Sequence, residues 1–131
     1  MSLDLYKTAE IYIGVKEPDA LIKTFFREGV GINKDHRTAW CSAFANFVAR
    51  KCDYERTSDA WAKSWLKVGR QVSPYQVKTG DIVVFHRGKN KDKGHVGFFG
   101  KWLGENKFTA ISGNYSQMVR DGIFYTDREV D

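Results

Sequence analysis

Cysteine at position 41, histidine at 95 and asparagine at 114 are the residue types from which a thiol hydrolase is assembled. The polar stretch Asn33 to Thr38 leads into an Ala-rich apolar run from Ala39 to Cys52, with Cys41 at or near its start. That run reads as a buried central helix. A thiol at its N-terminus meets the positive end of the helix dipole and unpaired backbone N–H groups, both of which favour thiolate. An inert core thiol is the competing reading, because free cysteines are commonly buried. Cys52 is the useful comparison. It lies eleven residues on, about 16 Å along an unbroken helix, too far for a disulfide with Cys41. Its place at the helix C-terminus disfavours thiolate, so Cys52 is expected to be structural.

A thiol nucleophile needs a base, and the chain offers His36, His86 and His95. His36 in a loop and His86 at a strand end read as solvated. His95 opens a strand directly after Gly94. If that strand and the one ending near Ser112 form a hairpin centred on Gly104-Glu105, opposed residues sum to about 209. Phe99 then faces Ala110, Gly97 faces Ser112 and His95 faces Asn114. An amide beside an imidazole accepts its N–H, fixes the tautomer and aims the ring at the thiol. A turn role for Asn114 after Gly113 is the alternative. The two cysteines and three histidines show no CxxC or HxxxH spacing, so no metal is expected, and the scheme requires no cofactor.

The elements that must position these groups divide the chain. Leu5, Ala9, Tyr12 and Ile13 recur at helical spacing over Leu3 to Ile13, with Gly14 as a C-cap. Asp19 caps a second helix carrying Leu21, Ile22, Phe25 and Phe26, ending near Gly29 or Gly31. The central helix follows, and a fourth is expected from about Ser58 to Lys67. After Gly80 the period changes. Ile82–Phe85, His95–Phe99, Phe108–Ser112 and Ile123–Tyr125 read as strands, with loops at Arg87–Gly94 and around Gly104. Helices first and an antiparallel meander second make an α+β fold.

Composition narrows the rest. At 131 residues, 42% hydrophobic and 28% charged, residues 1–131 read as one soluble globular domain. A net charge of +5 suits an anionic partner without choosing among them. No apolar run approaches the roughly 18 residues of a membrane helix, and Asp4, Lys7 and Glu10 interrupt any secretory leader. Synthesis in the cytoplasm without a signal peptide, no stable membrane association and a monomeric state are the expectations. Nucleic acid is not an expected partner, since no helix carries a basic stripe.

Four segments in order, Thr38-Ala39-Trp40-Cys41-Ser42-Ala43-Phe44, Thr79-Gly80-Asp81-Ile82-Val83-Val84-Phe85, Gly94-His95-Val96-Gly97-Phe98-Phe99 and Ser112-Gly113-Asn114, resemble the papain-like cysteine hydrolases of bacterial cell walls, the CHAP and NlpC-type clan. The likeness is nearest to small single-domain phage endolysin-like proteins. It implies a papain-like fold and peptidoglycan as substrate, cut within the stem or cross-bridge peptide or at the sugar–peptide amide. It also implies Cys41 as nucleophile, His95 as general base and Asn114 as the residue that orients the histidine. Many CHAP members carry an acid two positions before that asparagine, where this chain has Ser112, and Ala39 replaces a proline common before the Trp-Cys pair. The Cys41 N–H would hold the oxyanion, with His36, Thr38 and the Ser42 region as sources of a second donor. Trp40 is expected to line the substrate groove and Trp102, in a loop, to make an exposed substrate contact. Trp61 and Trp65, one helical turn apart, read as core rather than as glycan platforms. The basic stretch Arg87 to Lys93 either guides wall polymer or is an ordinary solvated loop. A secreted antibacterial amidase effector and a catalytically silent wall- or polyanion-binding module are the alternatives.

Overall fold

A computed structural model describes residues 2–87 and 90–126. Helix α1 spans Ser2–Ile11, and α2 spans Leu21–Thr24 and runs on as a π-helical turn over Phe25–Val30. Helix α3 covers Cys41–Lys51, and a 3-10 helix covers Ala62–Lys67. Strands β1 (Ile82–Arg87), β2 (Asn90–Trp102), β3 (Lys107–Tyr115) and β4 (Met118–Tyr125) form one antiparallel meander in sequence order. The α+β, papain-like expectation is met: helices first, then the sheet on which α3 lies.

Asp19 caps as its type requires, its Oδ1 accepting the Leu21 N–H at 2.8 Å. The following π-helical turn ends at Gly31 in a left-handed conformation, φ 83°. That turn buries both Phe25 and Phe26. Phe25 then meets Phe44 at 5.1 Å and Phe47 at 4.9 Å, with Tyr12 edge-on to all three rings. Burial of each such ring contributes about 1.5–3 kcal/mol, so this aromatic cluster fixes α2 and α1 on α3. Val84, Val96, Phe98, Ile111 and Val119 carry the same core onto one sheet face.

The other face holds a second cluster of Phe85, Phe99, Phe108, Ala110 and Phe124. Phe85 on β1 and Phe124 on β4 stack at 4.4 Å although two strands stand between them. In a flat sheet the outer strands would be about 14 Å apart. The sheet is therefore coiled around this cluster, toward a barrel.

Several elements differ from their sequence reading. The expected fourth helix begins only at Ala62 and is a 3-10 turn, because Asn46 of α3 holds the preceding segment in an irregular path. Fully buried Asn46 donates through Nδ2 to the Ser42 carbonyl (2.9 Å), Thr57 Oγ1 (3.2 Å) and the Asp59 carbonyl (3.2 Å), and its Oδ1 accepts the Ser58 N–H at 2.8 Å. Trp65 is core as expected, but Trp61 is half exposed. Helix α1 stops at Ile11, and the Gly14 N–H bonds the Val119 carbonyl of β4 at 2.9 Å. The Arg87–Gly94 loop shrinks as β1 and β2 continue to an Arg87–Asn90 pair. Any guiding role for the basic side chains there, like the His86 side chain, lies outside the described residues. The last strand begins earlier than expected, at Met118.

Replacing Asn46 by Ala removes the acceptor of the part-buried Ser58 N–H, while the Asp59 carbonyl keeps the Ser42 hydroxyl. The expected cost is about 1–3 kcal/mol, read as a lower urea midpoint with an unchanged slope.

Candidate active site

Cys41 is the first residue of α3, 4% exposed, and Trp40 before it makes no side-chain cap. The N–H groups of that first turn have no partner within the helix. The turn ahead of it is pinned by Asp35, whose carboxylate accepts from Arg37 N at 3.0 Å, Nε at 3.1 Å and NH2 at 2.9 Å. The Arg37 side-chain hydrogen bond lowers the Asp35 pKa to about 2. The clasp is therefore complete above the ordinary carboxylate range and is lost only as pH falls through about 2.

His95 lies on β2 and is also 4% exposed. Its ring sits at the mouth of the coiled sheet, 5.9 Å from Phe85 and 6.2 Å from both Phe124 and Tyr115. Its Nε2 is 2.7 Å from Ser112 Oγ, a bond between two buried side chains. The hairpin register proposed from sequence holds at Phe98–Ile111 and Phe99–Ala110 and shifts by one before Trp102–Phe108. The imidazole thus meets a hydroxyl at the position where many relatives carry an acid.

Two glycines make this contact possible. A Cβ at Gly97 would lie 2.9 Å from the Ile111 carbonyl and 3.0 Å from Ser112 Cβ, so only glycine leaves the serine room to reach the ring. A Cβ at Gly113 would lie 2.8 Å from Phe44 Cβ and 3.0 Å from the Trp40 ring. Residues 112 and 113 are therefore a bridge, one touching the imidazole and the next pressed on the residues flanking Cys41. Asn114 follows at φ 56°, in a register break of the β3–β4 ladder between Ser112 and Tyr115. Asparagine tolerates that left-handed backbone better than most residues, and a bulge re-aims the side chains around it.

A second bridge comes from the 3-10 region. Ser42 Oγ donates to the Asp59 carbonyl at 2.6 Å and accepts from Trp65 Nε1 at 3.0 Å. At the other end, Gly94 abuts Lys63 and Ala62, whose Cγ and Cβ lie 2.8 and 3.4 Å from where a Gly94 Cβ would be. Segment 59–63 thus contacts Ser42, which follows Cys41, and Gly94, which precedes His95.

Residues 33–114 match the CHAP domain. The chain belongs to the CHAP family. CHAP domains are generally hydrolases that act on peptidoglycan, and their fold is papain-like. No curated protein matches the chain. No solved structure matches it either. Among the described residues, no helix of this CHAP domain is long and apolar enough to cross a membrane.

Trp40, expected to line the substrate groove, has no exposed surface, and Trp102, expected in a loop, stands on a strand. Trp40 is fully buried, 6.0 Å from Phe25 and against Gly113; its ring sets the floor under the helix start. Trp102 ends β2 rather than lying in a loop, 37% exposed and edge-on to Phe99 and Phe108. It stands seven positions along the strand from His95, on the order of 20 Å. Ser112 was visible to the sequence only as a departure from the family pattern, although the 209 register already set it opposite Gly97. The Ser42–Asn46 network had no such signal beyond two polar residues one helical turn apart.

Gly97→Ala is expected to push Ser112 off the imidazole. In ¹⁵N NMR of the histidine ring, the Nε2 resonance should move away from its wild-type position, while a spectrum identical to wild type would show that the hydroxyl does not hold the ring.

Proposed function

We propose that this CHAP domain is a cysteine peptidase or amidase that cleaves an amide bond in peptidoglycan, with Cys41 as nucleophile, His95 as general base and Asn114 as an orienting residue. The observation that carries the reading is the 2.7 Å bond between His95 Nε2 and Ser112 Oγ. A histidine with one ring nitrogen held by a buried hydroxyl has a fixed ring plane. In the tautomer that donates Nε2–H to Ser112, the lone pair is on Nδ1, and that nitrogen takes the Cys41 proton. The helix dipole at the start of α3 then favours the thiolate.

The thiolate attacks the amide carbonyl, and the oxyanion is held by the Cys41 backbone N–H and one further donor. His95 returns the proton to the leaving amine, giving an acyl-enzyme. Water, deprotonated by the same nitrogen, attacks the thioester and releases the acid and free thiol. The site needs no external oxidant, reductant or cofactor for this sequence. A phage endolysin is the biological role this chemistry and the family resemblance favour.

Ser112 gives the histidine a neutral partner where a carboxylate would stabilise the imidazolium. Ser112→Asp is expected to shift the alkaline limb of the kcat/KM profile to higher pH. Ser112→Ala should lower kcat about tenfold without a comparable rise in KM.

Mass spectrometry of purified peptidoglycan, digested with wild type and with Cys41→Ala, tests the reaction itself. Fragments released only by the wild type are expected. Peptide-free glycan with intact stems identifies an amidase, and split stems or cross-bridges identify an endopeptidase. Binding to the wall by both proteins with no fragment from any wall chemotype would overturn the reading in favour of a binding module.

A further inference from the structure

The tip of the β3–β4 hairpin takes a backbone that its residue types do not favour. Asn114, Ser116 and Gln117 stand at φ 56°, 53° and 67°, and none of the three is glycine. Tyr115 and Met118 close the turn, and tight hairpin turns with both central residues left-handed ordinarily carry Asn-Gly or Asp-Gly there. The segment after α1 fastens this turn from outside. The Glu17 N–H donates to the Gln117 carbonyl at 2.9 Å and the Val119 N–H to the Val15 carbonyl at 2.8 Å, with Lys16 bridged to Met118. Backbone strain that its surroundings keep in place points to a side chain that must stand where it does.

That side chain is Tyr115, half-buried between the left-handed residues. Its ring folds back over β4. A Cβ at Gly122 would lie 3.0 Å from Tyr115 Cε2 and 3.2 Å from Cζ, so glycine leaves the ring its seat. The Arg120 guanidinium stands over the ring at 5.5 Å, and Phe124 meets it edge-on at 5.2 Å. Tyr115 also meets His95, at 6.2 Å with the two planes 69° apart. Phe85 and Phe124 lie closer to parallel with the imidazole, at 39° and 31°. Tyr115 therefore restrains the imidazole along a direction that the near-parallel pair does not.

We infer that Tyr115 is a positioning residue for the hydrolase: seated on Gly122 under the Arg120 guanidinium, its ring keeps the imidazole of His95 in its working orientation while Ser112 meets Nε2. The effect on turnover rests on the hydrolase reading; the restraint on His95 does not. A base already held in its reacting orientation needs no reordering in each turnover, so loss of the restraint lowers kcat rather than weakening substrate binding.

The test compares Tyr115→Leu, Tyr115→Phe and Arg120→Gln in the full chain. Fragment release from peptidoglycan gives the rates, and ¹⁵N NMR of the His95 ring, below the melting temperature of each variant, gives its state. Tyr115→Leu is expected to lower kcat about tenfold with KM within about twofold of wild type. Its Nδ1 and Nε2 resonances should draw together as the loosened ring exchanges between tautomers. Tyr115→Phe keeps the ring and is expected to rescue most of the rate and the resonances that the leucine loses. Arg120→Gln alters an exposed side chain and is expected to shift both readouts in the direction of the leucine variant, about threefold in kcat. If Tyr115→Leu does not fold, Arg120→Gln decides alone. His95 resonances unchanged in these two variants overturn the proposal, as does an undiminished kcat in Tyr115→Leu or a Tyr115→Phe protein as impaired as the leucine one. Resonances that draw together in a protein whose wild type releases no fragments would leave the restraint standing and sink the hydrolase reading.

Discussion

The absence of a side chain at residue 113 sets the spacing between helix and sheet. Phe44 Cβ and the Trp40 ring approach within 2.8 and 3.0 Å of where a Cβ would stand. Because β3 can press that closely on the start of α3, the residue before the glycine reaches the histidine and the residue after it turns into a left-handed bulge. Protein interiors are too densely packed to absorb an added methyl here without moving the helix or the strand. Either movement would separate the imidazole from the helix that carries the thiol.

The helix is held from its other flank by hydrogen bonds rather than by apolar contact. Ser42 and Asn46 spend their buried polar groups on the backbone of residues 58 and 59 and on Thr57, and Trp65 closes the network through its indole N–H. Directional bonds of this kind specify one path for an irregular segment, which burial alone would not. The result is a wall of defined shape beside the thiol, built from a stretch with little regular secondary structure. Aromatic rings do the complementary work inside the coiled sheet. Phe85, Phe124 and Tyr115 pack around the imidazole while its Nε2 meets Ser112.

Much of this was legible in the residues themselves. Asp19 and Gly31 bound α2 and its π-helical extension as their types demand. The central helix begins at Cys41, and the hairpin register around Phe99–Ala110 follows from the alternation of its strands. Local signals failed where a partner distant in sequence overrides them. Residues 58–61 carry a helical pattern, yet Asn46 takes their backbone groups and delays the turn to Ala62. Trp40 and Trp61 exchange their expected places, one buried and one exposed, because periodicity says which residues share a face and not which face is covered.

The sequence by itself supplied the residue types: a thiol at a helix start, a histidine after a glycine, and serine, glycine and asparagine in the order that lets a backbone pass close and then bend. These are properties of single residues and short spacings, and no packing is needed to read them. Only the tertiary structure decided which polar atom meets the imidazole, how the sheet coils until β1 and β4 touch, and that segment 59–63 contacts both Ser42 and Gly94. Each of those depends on contacts between residues far apart in the chain, whose geometry is set by the dense filling of a common interior and not by any local preference.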